Sequence, residues 1–147
     1  MIKIYTDGSC IGNPGKGGWA AIIFENEKKS IISGSEENTT NNRMELKAPI
    51  EALKKISNES KIEVFTDSKY VKQGITEWIK NWKNNNWKTA SKQNVKNVDL
   101  WKELDNLSSN FDIKWTWVKG HSDVAYNNEV DELARNAAGS NLSLIHI

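Results

Sequence analysis

Apolar and polar positions alternate over residues 2–7, with Ile2, Ile4 and Thr6 on one face and Lys3, Tyr5 and Asp7 on the other. That period of two predicts a strand ending at Asp7. Residues 8–18 are crowded with glycine and interrupted by Pro14, which reads as a wide irregular turn into the apolar run 19–24. A third strand is expected around residues 29–35, completing an antiparallel meander. From residue 41 to about 56, Leu46, Ile50, Leu53 and Ile56 recur at helical spacing behind a Thr39-Thr40-Asn41-Asn42 cluster suited to capping. Pro49 lies inside this helix and leaves the Glu45 carbonyl without its usual donor, so a bend or a bridging water is expected there. Residues 61–66 form a fourth strand that runs into Asp67, and the chain turns helical after Ser68. Trp78, Trp82, Trp87 and Trp101 then stand among lysines and asparagines in a partly helical segment with a polar loop near residues 84–86. Residues 112–118 read as a fifth strand, and 128–138 as a closing helix with Val130, Leu133, Ala134 and Ala137 on one face.

This order predicts an α/β domain built on a five-stranded mixed sheet, three antiparallel strands followed by parallel ones, flanked by helices. A helix crossing from the meander into the fourth strand lets that strand lie parallel to the first. Asp7 and Asp67 then sit side by side at the carboxyl ends of adjacent strands, where open α/β sheets bind ligands. Glu45 on the crossover helix and Asp131 on the last helix are placed to reach the same point.

Composition narrows the possibilities. A chain of 147 residues suits one domain with a core of its own. The single Cys10 rules out an internal disulfide, and with two histidines it cannot complete a tetrahedral zinc site. A reducing, cytoplasmic location is expected, with no charged leader and no apolar run near 18 residues to suggest secretion or a membrane. Residues 140–147 lack caps and a clear period and read as a frayed or non-native tail, leaving 1–139 as the domain. The net charge of +1 conceals an asymmetry: seven lysines against Glu77 alone give residues 69–98 a charge of +6, so the rest carries −5. A basic segment on an acidic body attracts polyanions, while the acidic part repels them unless cations intervene.

Four clustered carboxylates repel one another and need cations between them to stay ionised. Oxygen-only ligands select Mg²⁺, or Mn²⁺ as a substitute, and an open magnesium site suits a phosphate backbone. Two such ions roughly 3.5–4 Å apart assist phosphodiester hydrolysis. The residues alone leave another reading open, since Asp-Gly and Asp-Ser are ordinary strand terminators and acidic residues mostly sit solvated at the surface. The glycines and lysine of residues 8–18 do not make a nucleotide-phosphate loop, because no Gly-Lys-Ser/Thr end is present and a strand follows.

Several strings nevertheless occur in a specific order: Thr6-Asp7-Gly8-Ser9-Cys10 with Gly12-Asn13-Pro14-Gly15, Thr40-Asn41-Asn42-Arg43-Met44-Glu45-Leu46, Thr66-Asp67-Ser68, Gln73-Gly74-Ile75, Asn81-Trp82-Lys83, Trp87-Lys88-Thr89, Lys96-Asn97-Val98-Asp99-Leu100-Trp101, Trp117-Val118-Lys119-Gly120-His121 and Asp131-Glu132-Leu133-Ala134. Together they resemble the signatures of bacterial type 1 ribonuclease H, from Ile4 to about Ala138. The resemblance implies the ribonuclease H-like fold with a basic helical protrusion. It further implies an endonuclease that hydrolyses the RNA strand of RNA–DNA hybrids and leaves 5′-phosphate and 3′-hydroxyl ends. By the same resemblance Asp7, Glu45, Asp67 and Asp131 hold two divalent ions when substrate is bound, and His121 assists proton transfer or product departure. The loop after His121, residues 122–126, departs from the family pattern.

The resemblance also suggests how a hybrid is read. Cys10, Asn13, Asn41 and Gln73 face the RNA minor groove, where a 2′-hydroxyl distinguishes RNA from DNA. Asn13, Thr40 and Asn97 lie near a DNA phosphate, Trp78 and Trp82 line a groove for the DNA strand, and Lys80, Lys83 and Lys88 meet phosphates. Turn formation and capping explain the asparagines almost as well, and Cys10 also suits a small buried filler. Trp87 and Trp101 read as structural. A monomer is expected. Competing readings are a non-catalytic hybrid-binding module and another two-metal nuclease on the same fold, such as an integrase-like or junction-cutting enzyme.

Overall fold

The computed structural model describes residues 1–57, 61–119 and 125–139. Three strands form the meander, β1 (Ile2–Cys10), β2 (Gly15–Glu25) and β3 (Lys28–Thr39). Helix α1 (Asn41–Lys54) leads to β4 (Lys61–Thr66). Then come α2 (Lys69–Gln73), a π-helical turn (Gly74–Trp78), α3 (Ile79–Asn84), α4 (Val98–Ser108), β5 (Asp112–Trp117) and α5 (Ala125–Ala138). The sheet order is β3-β2-β1-β4-β5, antiparallel among the first three strands and parallel from β1 through β4 to β5. The mixed sheet expected from the element order is therefore present.

Strand β1 is central and covered on both faces. Ile2 and Ile4 join Leu46, Ile50 and Leu53 of α1 in one core, while Tyr5 joins Val130 and Ala134 of α5 in another. Tyr5 is buried although the alternation put it opposite Ile4, because a second helical layer covers that face. Each fully buried Ile or Leu here contributes about 1.5–3 kcal/mol relative to an exposed one.

Two local expectations are corrected. Strand β1 does not end at Asp7 but runs on to Cys10, with Asp7 paired to Ala20 and Cys10 to Gly17 of β2. Most of residues 8–18 is therefore ladder, and only 11–14 turn, with a cis Asn13-Pro14 bond. Glycine is unfavourable in an isolated strand, yet pairing on both edges and close packing of helices select it here. Helix α1 runs without a break through the buried Pro49, with apolar residues packed on either side of it.

Gly8 sets how closely α1 can approach. A Cβ at this position would stand 2.4 Å from both the Glu45 nitrogen and the Met44 carbonyl carbon. The first turn of α1 thus rests directly on the β1 backbone, which brings Glu45 beside Asp7. Gly8→Ala should force the two apart, lowering stability by about 1–3 kcal/mol and weakening divalent-cation binding in a Mn²⁺ titration; unchanged values of both would show that α1 is not seated by this contact.

Candidate active site

Parallel pairing of β1 with β4 runs Ile2↔Ile62 to Tyr5↔Phe65. The same offset carried two residues further sets Asp7 abreast of Asp67, just past the end of β4. Glu45, in the second turn of α1, enters from above Gly8. Carboxylate oxygens of Asp7, Glu45 and Asp67 all lie within 4.8 Å of one another. Asp7 is 3% exposed and Glu45 7%.

Two ties hold Asp67 from the side of β5. The Trp117 indole Nε1 donates to the Asp67 carbonyl at 3.0 Å. The Lys69 ammonium lies 5.0 Å from the centre of the Trp117 ring, so one side chain braces both ends of a short turn. Ser68 caps α2 by accepting from the Val71 nitrogen at 3.1 Å.

Burial is the first reason that the Asp7 carboxyl is pushed up to about 8, and the neighbouring Asp67 charge adds to it. The Gly8 N–H, donating to Asp7 Oδ1 at 2.8 Å, and a hydrogen bond with Glu45 oppose the rise. Glu45 is raised well above its ordinary value, again first by burial and then by the Asp7 and Asp67 charges. Among the described residues its buried Oε1 has no hydrogen-bond partner. An orphaned acceptor among carboxylates fits a hard divalent cation, the partner that would keep all three ionised.

Asp131 stands beside this trio on α5. Its carboxyl helps to raise that of Asp7 and forms an ion pair with Arg135 Nε at 3.2 Å, one turn along the helix. His121 lies outside the described residues, as does the tail 140–147.

The other candidates fall into two groups. Asn13, Pro14, Thr40, Asn41 and Asn42 face Lys96 and Asn97 across a pocket of about 360 Å³ at the start of α1. Here Asn13 Oδ1 accepts from the Asn41 nitrogen at 2.8 Å and Thr40 caps α1 through the Arg43 nitrogen at 3.3 Å. Capping thus accounts for part of the polar cluster. Pro14, Asn42 and Lys96 also line this pocket; they stand inside the motif strings but were not assigned a role in binding. Cys10 Sγ is half-buried and donates to the Thr39 carbonyl at 3.4 Å.

The second group lies on the basic segment. Trp78, Trp82, Trp87 and Trp101 form a chain of ring contacts at 5.3–6.3 Å. Trp101 is fully buried, and a Cβ on Gly74 would fall 2.0 Å from its ring, so the π-helical turn lies flat on the indole. Gln73 and Lys80 are exposed, Lys83 pairs with Asp105 at 3.2 Å, and Lys88 bonds Asn94.

Residues 1–139 match the RNase H family profile. The chain belongs to the RNase H family. It is thus an enzyme of the ribonuclease H class, and its resemblance to the bacterial type 1 enzymes is borne out. A relative called ribonuclease H from Wolbachia sp. subsp. Drosophila simulans (strain wRi) is 58% identical over 136 residues, covering 92% of this chain and 94% of that one. Another from Pseudoalteromonas atlantica is 54% identical over 137 residues, 93% of this chain and 90% of that one. Among solved structures, LC9-RNase H1, a type 1 RNase H, superposes with a TM-score of 0.85 at 31% identity, over 95% of this chain and 72% of that one.

The raised carboxyls make a testable statement about the metal-free protein. A carboxyl raised in the fold contributes its full stability below its ordinary value of 3.8, and that contribution is lost as pH climbs through about 8. In EDTA, the melting temperature should therefore fall across this window, and Asp7→Asn should raise it most at the alkaline end. Equal pH profiles for Asp7→Asn and the unmodified protein would contradict this strain.

Proposed function

We propose that the protein hydrolyses the RNA strand of RNA–DNA hybrids by two-metal-ion catalysis, leaving 5′-phosphate and 3′-hydroxyl ends, with residues 1–139 as the catalytic domain. The observation that carries this is the buried cluster of Asp7, Glu45 and Asp67 with Asp131 at its edge, in a chain of the RNase H family. Asp7, Glu45, Asp67 and Asp131 hold the cations, with Mg²⁺ favoured and Mn²⁺ able to substitute. Bound divalent ions lower the pKa of a water and stabilise the leaving 3′-oxygen.

The chain's own residues do the rest. Asp7 and Glu45 sit on rigid, buried backbone, so their carboxylates need no rearrangement to bind cations. The Trp117 indole fixes the Asp67 turn from outside. His121 serves as an assisting proton carrier, since an imidazole can take up and release a proton near neutrality.

Hybrid is held along two surfaces. The pocket of Asn13, Thr40 and Asn97 takes a DNA-strand phosphate, and Cys10, Asn41 and Gln73 address the RNA minor groove. Trp78 and Trp82 offer aromatic surface to the DNA strand, with Lys80, Lys83 and Lys88 meeting phosphates. Among the described residues no helix is long and apolar enough to cross a membrane. We place the enzyme in the cytoplasm, acting as a monomer.

With Mg²⁺ the protein should cleave RNA in a labelled hybrid while leaving duplex DNA, duplex RNA and single strands intact, and EDTA should abolish cleavage. Asp7→Asn should lower kcat by about 100-fold or more; full magnesium-dependent activity in that variant would overturn the metal site. Replacing Lys80, Lys83 and Lys88 together by Ala should weaken hybrid binding and reduce its salt slope by up to about one per lost phosphate contact. A slope that does not move would remove the protrusion from the binding surface.

A further inference from the structure

Arg43 sits inside the Thr40-Asn41-Asn42-Arg43-Met44-Glu45 string, yet neither the metal site nor the pocket lining uses it. Its guanidinium reaches across from α1 to the start of α4. There NH1 and NH2 donate to the two oxygens of Asp99 at 3.0 and 2.7 Å, and NH1 also donates to Asn97 Oδ1 at 3.3 Å. On its other side Asn97 Nδ2 donates to the Tyr70 hydroxyl at 3.0 Å, which also accepts from Trp101 Nε1 at 3.0 Å.

Asn97 occupies the position preceding α4 where an asparagine ordinarily caps the helix, but its side chain makes no capping bond. Its backbone is left-handed, with φ of 60°. The side chain is thereby turned away from the helix end and into a bridge between Arg43 and Tyr70. The donor inventory then determines which way round the amide lies. Arginine has only donors, so the amide oxygen must face Arg43; the indole and the amide nitrogen occupy both acceptor sites of the Tyr70 oxygen. Asn97 also lines the pocket at the start of α1, and these bonds leave the second Nδ2 hydrogen and the second Oδ1 lone pair unused. An N–H turned into that pocket suits an anionic oxygen.

We propose that Arg43 is a positioning residue: braced by Asp99, it locks the Asn97 amide with its N–H toward the phosphate pocket and does not itself contact the nucleic acid. This rests on the assignment of that pocket to a phosphate of the hybrid. The bidentate pairing with Asp99 holds Arg43 away from the pocket, and the Tyr70–Trp101 pair supports Asn97 from the core side. Lysine cannot replace this fork, since a single ammonium lacks the planar geometry to engage Asp99 and Asn97 together.

The test is a kinetic cycle on hybrid cleavage with Arg43→Lys, Asn97→Ala, the double variant and Asp99→Asn. Asn97→Ala should raise KM about 3–10-fold with kcat little changed, and Arg43→Lys, which keeps the charge, should do the same. The double variant should be no worse than Asn97→Ala alone, because the arginine acts through the asparagine. Asp99→Asn should also raise KM. A lowered KM in Asp99→Asn would instead mean that a released Arg43 binds phosphate directly, and it would overturn the positioning role. So would an unchanged KM in Arg43→Lys, or KM effects that multiply in the double variant, while Asn97→Ala still raises KM. If Asn97→Ala leaves KM unchanged, the phosphate pocket itself is wrong and the positioning role falls with it.

Discussion

Three carboxylates placed within a few ångströms of one another, two of them nearly out of water, are the constraint around which this molecule is organised. Ionised together and unaided, they would drive apart, so the scaffold has to hold them more firmly than they repel. It does so with backbone. Asp7 lies inside a strand paired to β2 from Lys3 to Cys10 and to β4 from Ile2 to Tyr5, Asp67 follows just past the end of that parallel neighbour, and Glu45 is brought in by a helix seated on a glycine. None of the three depends on a flexible loop for its position. The strain stored there is what a divalent cation relieves, which ties metal affinity to the same contacts that stabilise the fold.

The polar surface beside this centre is built on a different principle. Around the pocket at the start of α1, hydrogen bonds are spent on orientation: Asn13 and Thr40 satisfy helix donors, and Asn97 bridges Arg43 and Tyr70. The basic segment then adds long-range attraction without demanding precise placement. Its tryptophans pack at tilted and edge-on angles into a half-buried ridge anchored on Trp101, so lysines on α3 and the following loop are carried on a firm base. Rigid acids, oriented amides and loosely held lysines form a gradient suited to recognising a polyanion first by charge and then by shape.

Much of this was legible in the chain. The period-2 and helical patterns located every strand and the two long flanking helices, and the recurrence of an aspartate near the end of two strands pointed to the site before any coordinates. Where the reading strayed, the cause was local propensity overruled by neighbours. Glycines at 15, 17 and 18 looked like loop, yet they are ladder residues selected for what packs on them; Gly18 lies against the backbone of α5. Arg43 stood in plain view inside a motif with no visible partner, since Asp99 is 56 residues away.

What the sequence by itself determined was the kind of chemistry and the order of elements, because residue type and periodicity are properties of the chain alone. Acids, lysines and tryptophans declare themselves wherever they lie. Only the tertiary structure decided the distances: which carboxylates meet, that Asp131 beside them pairs with Arg135, that Trp117 braces Asp67, and that Asn97 bridges two side chains instead of capping a helix. Those relations arise from strand register and from the packing of helices on both sheet faces, and neither can be read from residues taken one after another.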